Sequence, residues 1–325
     1  MTRILITGAL GHIGSSLIHS LQPGDYEAVM LLDDLSTQRY CSLFNLPPGV
    51  PFTFVEDSIC SGPLDAYFDG VDVVIHLAAI TNAAGSFEIQ EEVERVNFEG
   101  TERVAQACVK SGSKLIFIST TSVYGTNQKV IDESCSSAEL NPQSPYALSK
   151  LRAEQLLDEL GKRSGLRYFV SRFGTIFGCS PGMRFHTAIN KFCWQACTGQ
   201  RLTVWRTALN QRRPYLDLED AVRAIKFVLR RDQFDNQIYN IVTENSTVAE
   251  IAALIKRQIP DTELRYIDAA IMNQLSYTVA NDKFRKLGFE FRGSLDEGIA
   301  ETVRLIRGVS QSRFPAEMAQ TGNTK

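Results

Sequence analysis

A chain of 325 residues is long enough to bury one large core or two closely joined ones. A formal net charge of -3 provides no basic face for nucleic acid, and no apolar run approaches the ~20 residues of a membrane span. The seven cysteines (41, 60, 108, 135, 179, 193 and 197) are scattered and odd in number; with a strand beginning at once and no apolar leader, they make the cytoplasm the expected location.

The first apolar run, Ile4–Thr7, breaks into Gly8-Ala9-Leu10-Gly11-His12-Ile13-Gly14 and turns helical to about Leu21. Gly8 allows the tight turn, Gly11 lets backbone N–H groups approach a pyrophosphate, and Gly14 permits close helix-on-strand packing. The helix N-terminus then faces the phosphate charge. The second run, Ala28–Leu32, ends in Asp33, where a carboxylate accepts hydrogen bonds from both adenosine ribose hydroxyls. Together these predict a dinucleotide site.

Further β-branched runs at Thr53–Glu56, Val73–Leu77, Leu115–Ser119 and Tyr168–Arg172 alternate with helical patterns. That alternation predicts an α/β fold, a Rossmann-type doubly wound parallel sheet with ligands at the carboxyl ends of its strands. After the third run, Asp57-Ser58 reads equally as an adenine contact or a turn carboxylate. His76 reads as a packed strand-end residue. The small residues of Leu77-Ala78-Ala79-Ile80-Thr81 let the backbone pass near the middle of a dinucleotide, and Ser119-Thr120-Thr121-Ser122 gathers hydroxyls at a strand end.

The next helix begins near Ser144-Pro145-Tyr146. Tyr146 and Lys150 are four residues apart and share a helix face. A phenol is a poor base at neutral pH, but an ammonium and an oxidised nicotinamide ring both stabilise its phenolate, which makes Tyr146 a candidate general base. Thr120 is placed to hold the same substrate hydroxyl, and Lys150 to bind the nicotinamide ribose.

From about residue 180 the alternation gives way to longer helical stretches at Thr187–Cys197 and Leu218–Arg230, predicting a smaller α/β substrate domain over 179–308 beside a dinucleotide domain over 1–178, with strand exchange between them. In Gln211–Asp217 an arginine is set to clamp a phosphate; the alternative is a solvated charge run. The strand Gln237–Val242 and the helix Thr247–Gln258, capped by Ser246 or Thr247, complete the smaller domain. Cys193 and Cys197 read as core residues without a metal, and 309–325 as a frayed tail.

Several motifs coincide in order and spacing: Thr7-Gly8-x-x-Gly11-x-x-Gly14, Leu32-Asp33-Asp34-Leu35-Ser36, His76-Leu77-Ala78-Ala79, Asn97-x-x-Gly100-Thr101, Val123-Tyr124-Gly125 and Tyr146-x-x-x-Lys150. In these the chain resembles the extended short-chain dehydrogenase/reductase family, in its nucleotide-sugar epimerase, dehydratase and dehydrogenase group. The resemblance implies NAD held by Gly8, Leu10, Gly11, His12, Ile13, Gly14, Asp33, Asp34, Leu35, Ser36, Asp57, Ser58, Leu77, Ala78, Ala79, Thr81, Asn97, Ser119, Tyr146, Lys150 and Phe173. It implies a catalytic set of Thr120, Tyr146 and Lys150. It further implies a nucleotide-diphosphate sugar near Thr81, Thr120, Thr121, Thr175, Arg184, Asn190, Val204, Trp205 and Arg213, and a homodimer built on helices near Glu91–Lys110 and Tyr146–Arg163.

The 4,6-dehydratases of that family commonly carry an acid where this chain has Ser122, and its galactose epimerases often carry Lys and Asn where this chain has Thr81 and Thr175. The expected activity is therefore a 4-epimerase of bacterial polysaccharide or other sugar biosynthesis. A C4 dehydrogenase or reductase ranks second, and a dehydratase or a non-catalytic NAD(H) sensor lower.

Overall fold

The computed structural model describes residues 2–125, 129–267 and 276–307. The tail expected over 309–325 lies outside them. In chain order the first half holds β1 (Arg3–Thr7), α1 (His12–His19), β2 (Ala28–Asp33), β3 (Phe52–Glu56), α2 (Leu64–Tyr67), β4 (Val73–His76), α3 (Gln90–Val93), α4 (Gly100–Ser111), β5 (Lys114–Thr120) and β6 (Val130–Ile131). Next come α5 (Pro145–Ser164), β7 (Tyr168–Phe173), β8 (Thr175–Phe177), α6 (Ala188–Cys197), β9 (Leu202–Trp205), β10 (Arg212–Asp217) and α7 (Leu218–Arg231). The described chain closes with β11 (Gln237–Ile241), β12 (Glu244–Thr247), α8 (Val248–Gln258), β13 (Leu264–Ile267), β14 (Thr278–Val279), α9 (Asp282–Arg285) and α10 (Leu295–Ile306).

Seven parallel strands form one sheet in the order β11-β7-β5-β4-β1-β2-β3. The strands read as near-continuous apolar runs because helices cover both faces. Leu5 packs on one side with Val104, Phe117 and Leu157. Ile4 and Ile6 pack on the other with Leu17, Ile18, Ala221 and Ile225. Burying each such side chain contributes about 1.5–3 kcal/mol. The chain passes from β1 outward to β2 and β3, then returns to β4 on the opposite side of β1. That reversal opens a crevice at the carboxyl ends of β1 and β4.

The strand expected to complete the smaller domain instead pairs with β7, Ile238 opposite Val170, and becomes the seventh strand of the large sheet. Its apolar residues find a partly covered edge there, against Phe284 of α9. The second region joins the three-stranded sheet β12-β10-β8 and the parallel pairs β13–β9 and β14–β6 to α6, α8 and α10. Its core holds Phe177, Ile189, Phe192, Ile251 and Ile299, with Cys193 buried and Cys197 half-buried beside it. Thr247, of the two residues offered, caps α8 in a capping box with Glu250. Among the described residues no group of three or more His, Cys, Asp or Glu side chains is placed to hold a metal, and no helix is long and apolar enough to cross a membrane.

Candidate active site

One cavity of about 620 Å³ runs along the crevice and takes its walls from the loops after β1 to β5 and β7. At its floor, Gly8 has φ +65, and a Cβ there would lie 2.5 Å from Ala78 N; a Cβ on Gly14 would lie 2.5 Å from Ala9 O. Both neighbours are backbone, so only glycine fits. Gly11 stands at the N-cap of α1, which has no side-chain cap, whereas α5, α7, α8 and α10 are capped by Ser144, Asp217, Thr247 and Ser294. The bare amides of α1 suit an anion. Asp33 accepts hydrogen bonds from Leu10 N and Leu35 N, each at 3.0 Å, while its carboxylate also lines the cavity. Burial pushes that carboxyl above its usual range, and the two amides pull it back. These residues fit a dinucleotide: a glycine cradle, open helix amides and a ribose acceptor lie in sequence along one wall.

His12, Ile13, Asp34, Ser36, Asp57, Ser58, Leu77, Ala78, Ala79, Thr81, Ser119 and Phe173 line the same cavity. Leu10, Leu35 and Asn97 stand behind it. Asn97 belongs to a π-helical segment, Glu94–Glu99, between α3 and α4. Its side chain both accepts from Ile80 N and donates to Ile80 O at 2.8 Å, so the π-helical segment clamps the chain leaving β4. Asp57 keeps both readings, since it lines the cavity yet accepts from Ser58 N and the Tyr67 hydroxyl.

His76 is a strand-end residue. Thr101 donates its hydroxyl to Asn97 O, which leaves its oxygen to accept from His76 Nε2 at 2.9 Å; Nδ1 then takes the Thr7 hydroxyl at 2.7 Å. Burial, with the Lys150 charge added, pushes its pKa down to about 3, so the ring stays neutral.

Thr120 ends β5, and its Oγ1 accepts from Ser122 N at 3.1 Å. That orientation leaves the Thr120 hydroxyl proton for the phenol of Tyr146, to which it is hydrogen-bonded. Ser144 caps α5 with Pro145 in the first turn, which fixes where Tyr146 emerges. Burial raises the phenol's pKa; Arg184 and the Thr120 hydrogen bond lower it. One turn on, Lys150 is buried with its Nζ 4.7 Å from the Phe117 ring centroid. Burial pushes this ammonium down to about 7, against an opposing pull from Glu154.

Arg184 bonds Thr81 Oγ1 across the cavity and keeps a buried Nε without a partner among the described residues. Asn190 supports that arginine, donating to Arg184 O and accepting from Gly178 N. Thr175 lines the cavity. Thr121, Asn190, Val204, Trp205 and Arg213 do not. The Thr121 hydroxyl donates to Phe173 O, Val204 lies in the second core, Trp205 is partly exposed, and Arg213 donates to Gln211 with its guanidinium over the Tyr277 ring. Sequence reading missed Arg39, His186 and Thr187, which join the wall from loops with no motif of their own, and Arg95, which joins it from the π-helical segment.

The fold and cavity define a dinucleotide-binding α/β protein with Thr120, Tyr146 and Lys150 gathered at one end of the cavity. Residues 4–242 match the model of the NAD dependent epimerase/dehydratase family, and the chain belongs to it. NAD is its cofactor. The chain is 31% identical over 319 residues to a trifunctional UDP-glucose 4,6-dehydratase/UDP-4-keto-6-deoxy-D-glucose 3,5-epimerase/UDP-4-keto-L-rhamnose-reductase of Arabidopsis thaliana, covering 92% of this chain but only 46% of that protein. It is 29% identical over 321 residues to an uncharacterized UDP-glucose epimerase of Bacillus subtilis, covering 95% of this chain and 99% of the relative. Among solved structures, a dTDP-glucose 4,6-dehydratase from Streptomyces venezuelae with NAD bound superposes with a TM-score of 0.83 at 25% identity, over 94% of this chain and 97% of that one.

Proposed function

We propose that the protein is an NAD-dependent nucleotide-sugar 4-epimerase. The observation that carries this reading is the end of β5. Ser119, Thr120 and Ser122 line the cavity beside Tyr146 and Lys150; the carboxylate bonded at this strand end, Glu154, takes the Ser119 hydroxyl without lining the cavity, and no other carboxylate is bonded there among the described residues. The acids that line the cavity are Asp33 and Asp34 at the end of β2, Asp57 after β3, and Glu92, which is paired with Arg95 at 3.9 Å. Elimination across C5 and C6 of a sugar needs a base at C5, and among the described residues no carboxylate lines the cavity beside Tyr146. Removal and return of hydrogen at C4 needs only a base for the hydroxyl proton and a hydride acceptor.

NAD, held along the turn of Gly8, Gly11 and Gly14 and by Asp33, would supply hydride-accepting and hydride-donating chemistry at C4. Tyr146 takes the hydroxyl proton, and Thr120 donates to the developing oxyanion. Lys150 holds positive charge beneath the phenolate. Arg184 and Thr81 contact the sugar nucleotide on the far side of Tyr146. Similarity over almost its whole length to a relative named an uncharacterized UDP-glucose epimerase is consistent with the same reading. Bacterial polysaccharide or other sugar biosynthesis is the setting we propose, with a cytoplasmic homodimer as the working form.

Mass spectrometry after incubation with NAD and UDP-, dTDP- and GDP-sugars tests this. The epimerase yields a new nucleotide sugar of unchanged mass. Loss of the mass of one water from the product would replace the reading with a dehydratase, and loss of two hydrogens with matching NADH would replace it with a dehydrogenase.

A further inference from the structure

Beneath Tyr146 and Lys150 on α5 lies a third residue at the same spacing, Glu154, buried with 4% exposure. Its carboxylate is held from two strands of the sheet. Arg172 of β7 binds it through Nε at 3.0 and 3.2 Å and Nη2 at 2.6 Å, and Ser119 of β5 donates its hydroxyl at 2.5 Å. Arg172, 3% exposed, also places its guanidinium over the Tyr124 ring, whose hydroxyl is tied to Asn240. A buried carboxylate so fully bonded is fixed in place.

We infer that Glu154 is a positioning residue of the reaction centre: clamped by Arg172 and Ser119, it keeps Lys150 an ammonium beneath the phenol of Tyr146. The inference rests on the reading of Tyr146 as the base. The groups facing Lys150 are Tyr146 and Glu154 from its own helix, the neutral His76 from β4 and, behind Glu154, Arg172 from β7. From β5 it meets the Phe117 ring, and Glu94 of the π-helical segment turns away to Arg152. Arg184 faces Tyr146 rather than Lys150. Glu154 is therefore the one carboxylate acting on the lysine among these groups. Its charge opposes the burial that would otherwise strip the proton from Nζ.

The test is a tyrosinate titration by ultraviolet difference absorbance with saturating NAD and no sugar nucleotide. The chain has ten tyrosines, so each spectrum is read against the matching Tyr146→Phe background to isolate Tyr146. Glu154→Gln should raise the Tyr146 midpoint by about one pH unit or more, because a discharged lysine no longer supports the phenolate. If Glu154 only holds the fold, removing its negative charge leaves the midpoint unchanged or lowers it, and either result overturns the inference.

Because Glu154→Gln strands Arg172, the double variant Glu154→Gln/Arg172→Met removes both buried charges, with an upward shift again expected. Failure of both variants to melt cooperatively would assign the pair to stability alone and overturn the inference. A wild-type Tyr146 that titrates no earlier than the other tyrosines would instead count against Tyr146 as base. The two failures are thus distinct.

Discussion

At the scale of single residues, the Thr120 hydroxyl, the Tyr146 phenol and the Lys150 ammonium occupy one end of the cavity, with Asp33 at the other. Tyr146→Phe removes the only proton acceptor of the three while keeping the ring. Turnover should fall by about 10²–10⁴-fold, with the Kd for NAD by calorimetry held within about twofold. Unchanged turnover would remove Tyr146 from the chemistry. Asp33 accepts from the Leu10 and Leu35 amides, and we propose that it also faces the adenosine ribose. Arg39 lies beside it in the cavity wall. Asp33→Ser should therefore leave Arg39 as the nearest charge and shift the NAD-to-NADP Kd ratio by about tenfold or more, roughly 1.4 kcal/mol, toward NADP. The two unpaired amides should cost about 1–3 kcal/mol of stability in the same variant. An unchanged ratio would displace Asp33 from the ribose.

At the scale of elements, the turn from β1 into α1 separates folding from binding. A Cβ on Gly14 meets backbone oxygens of Ala9 and Gly8 at 2.5 and 2.7 Å, whereas one on Gly11 meets Gly8 O at 3.2 Å and the Arg39 side chain at 3.8 Å. Gly14→Ala should cost about 1–3 kcal/mol or more in urea unfolding, because neither strand nor helix yields. Gly11→Ala should melt close to the wild type and weaken NAD binding, since the added methyl occupies the pyrophosphate approach. Equal melting temperatures for the two variants would contradict this division. The β-strands before Tyr146, the glycine turn and the i, i+4 relation of Tyr146 to Lys150 were legible in the sequence because each is a local pattern with its own period. Convergence was not legible. Arg39, His186 and Thr187 meet only because two loops, after β2 and after β8, end at one crevice, and the Glu154–Arg172 pair spans a helix and a strand. The π-helical segment hid inside a good helical pattern, since one inserted residue barely disturbs apolar spacing. The run Gln237–Ile241 followed the smaller domain in sequence but found its partner strand in the larger one.

At the scale of the whole molecule, stability and activity both depend on charge kept out of water. His12 and His76 are buried with pKa values pushed down to about 3 by desolvation, below the ordinary 6.5. The unfolded chain takes up their protons as pH falls below 6.5 while the folded chain does not. Their contribution is therefore complete above pH 6.5 and is lost progressively toward pH 3, at about 1.4 kcal/mol per pH unit for each histidine. Urea midpoints at pH 7.5 and 5.5 check this: the lower pH should give the lower midpoint, and His76→Gln should flatten the slope. Equal midpoints would mean that these rings are not held neutral in the folded state.

The central claim concerns the fate of hydrogen at C4, and proton NMR in D2O with NAD and a panel of UDP-, dTDP- and GDP-sugars follows it directly. The account predicts a second anomeric doublet that grows to equilibrium, with no deuterium entering the sugar and no build-up of NADH. Deuterium at C5 or C6, or a hydrated 4-ketose accumulating with NADH, would contradict it.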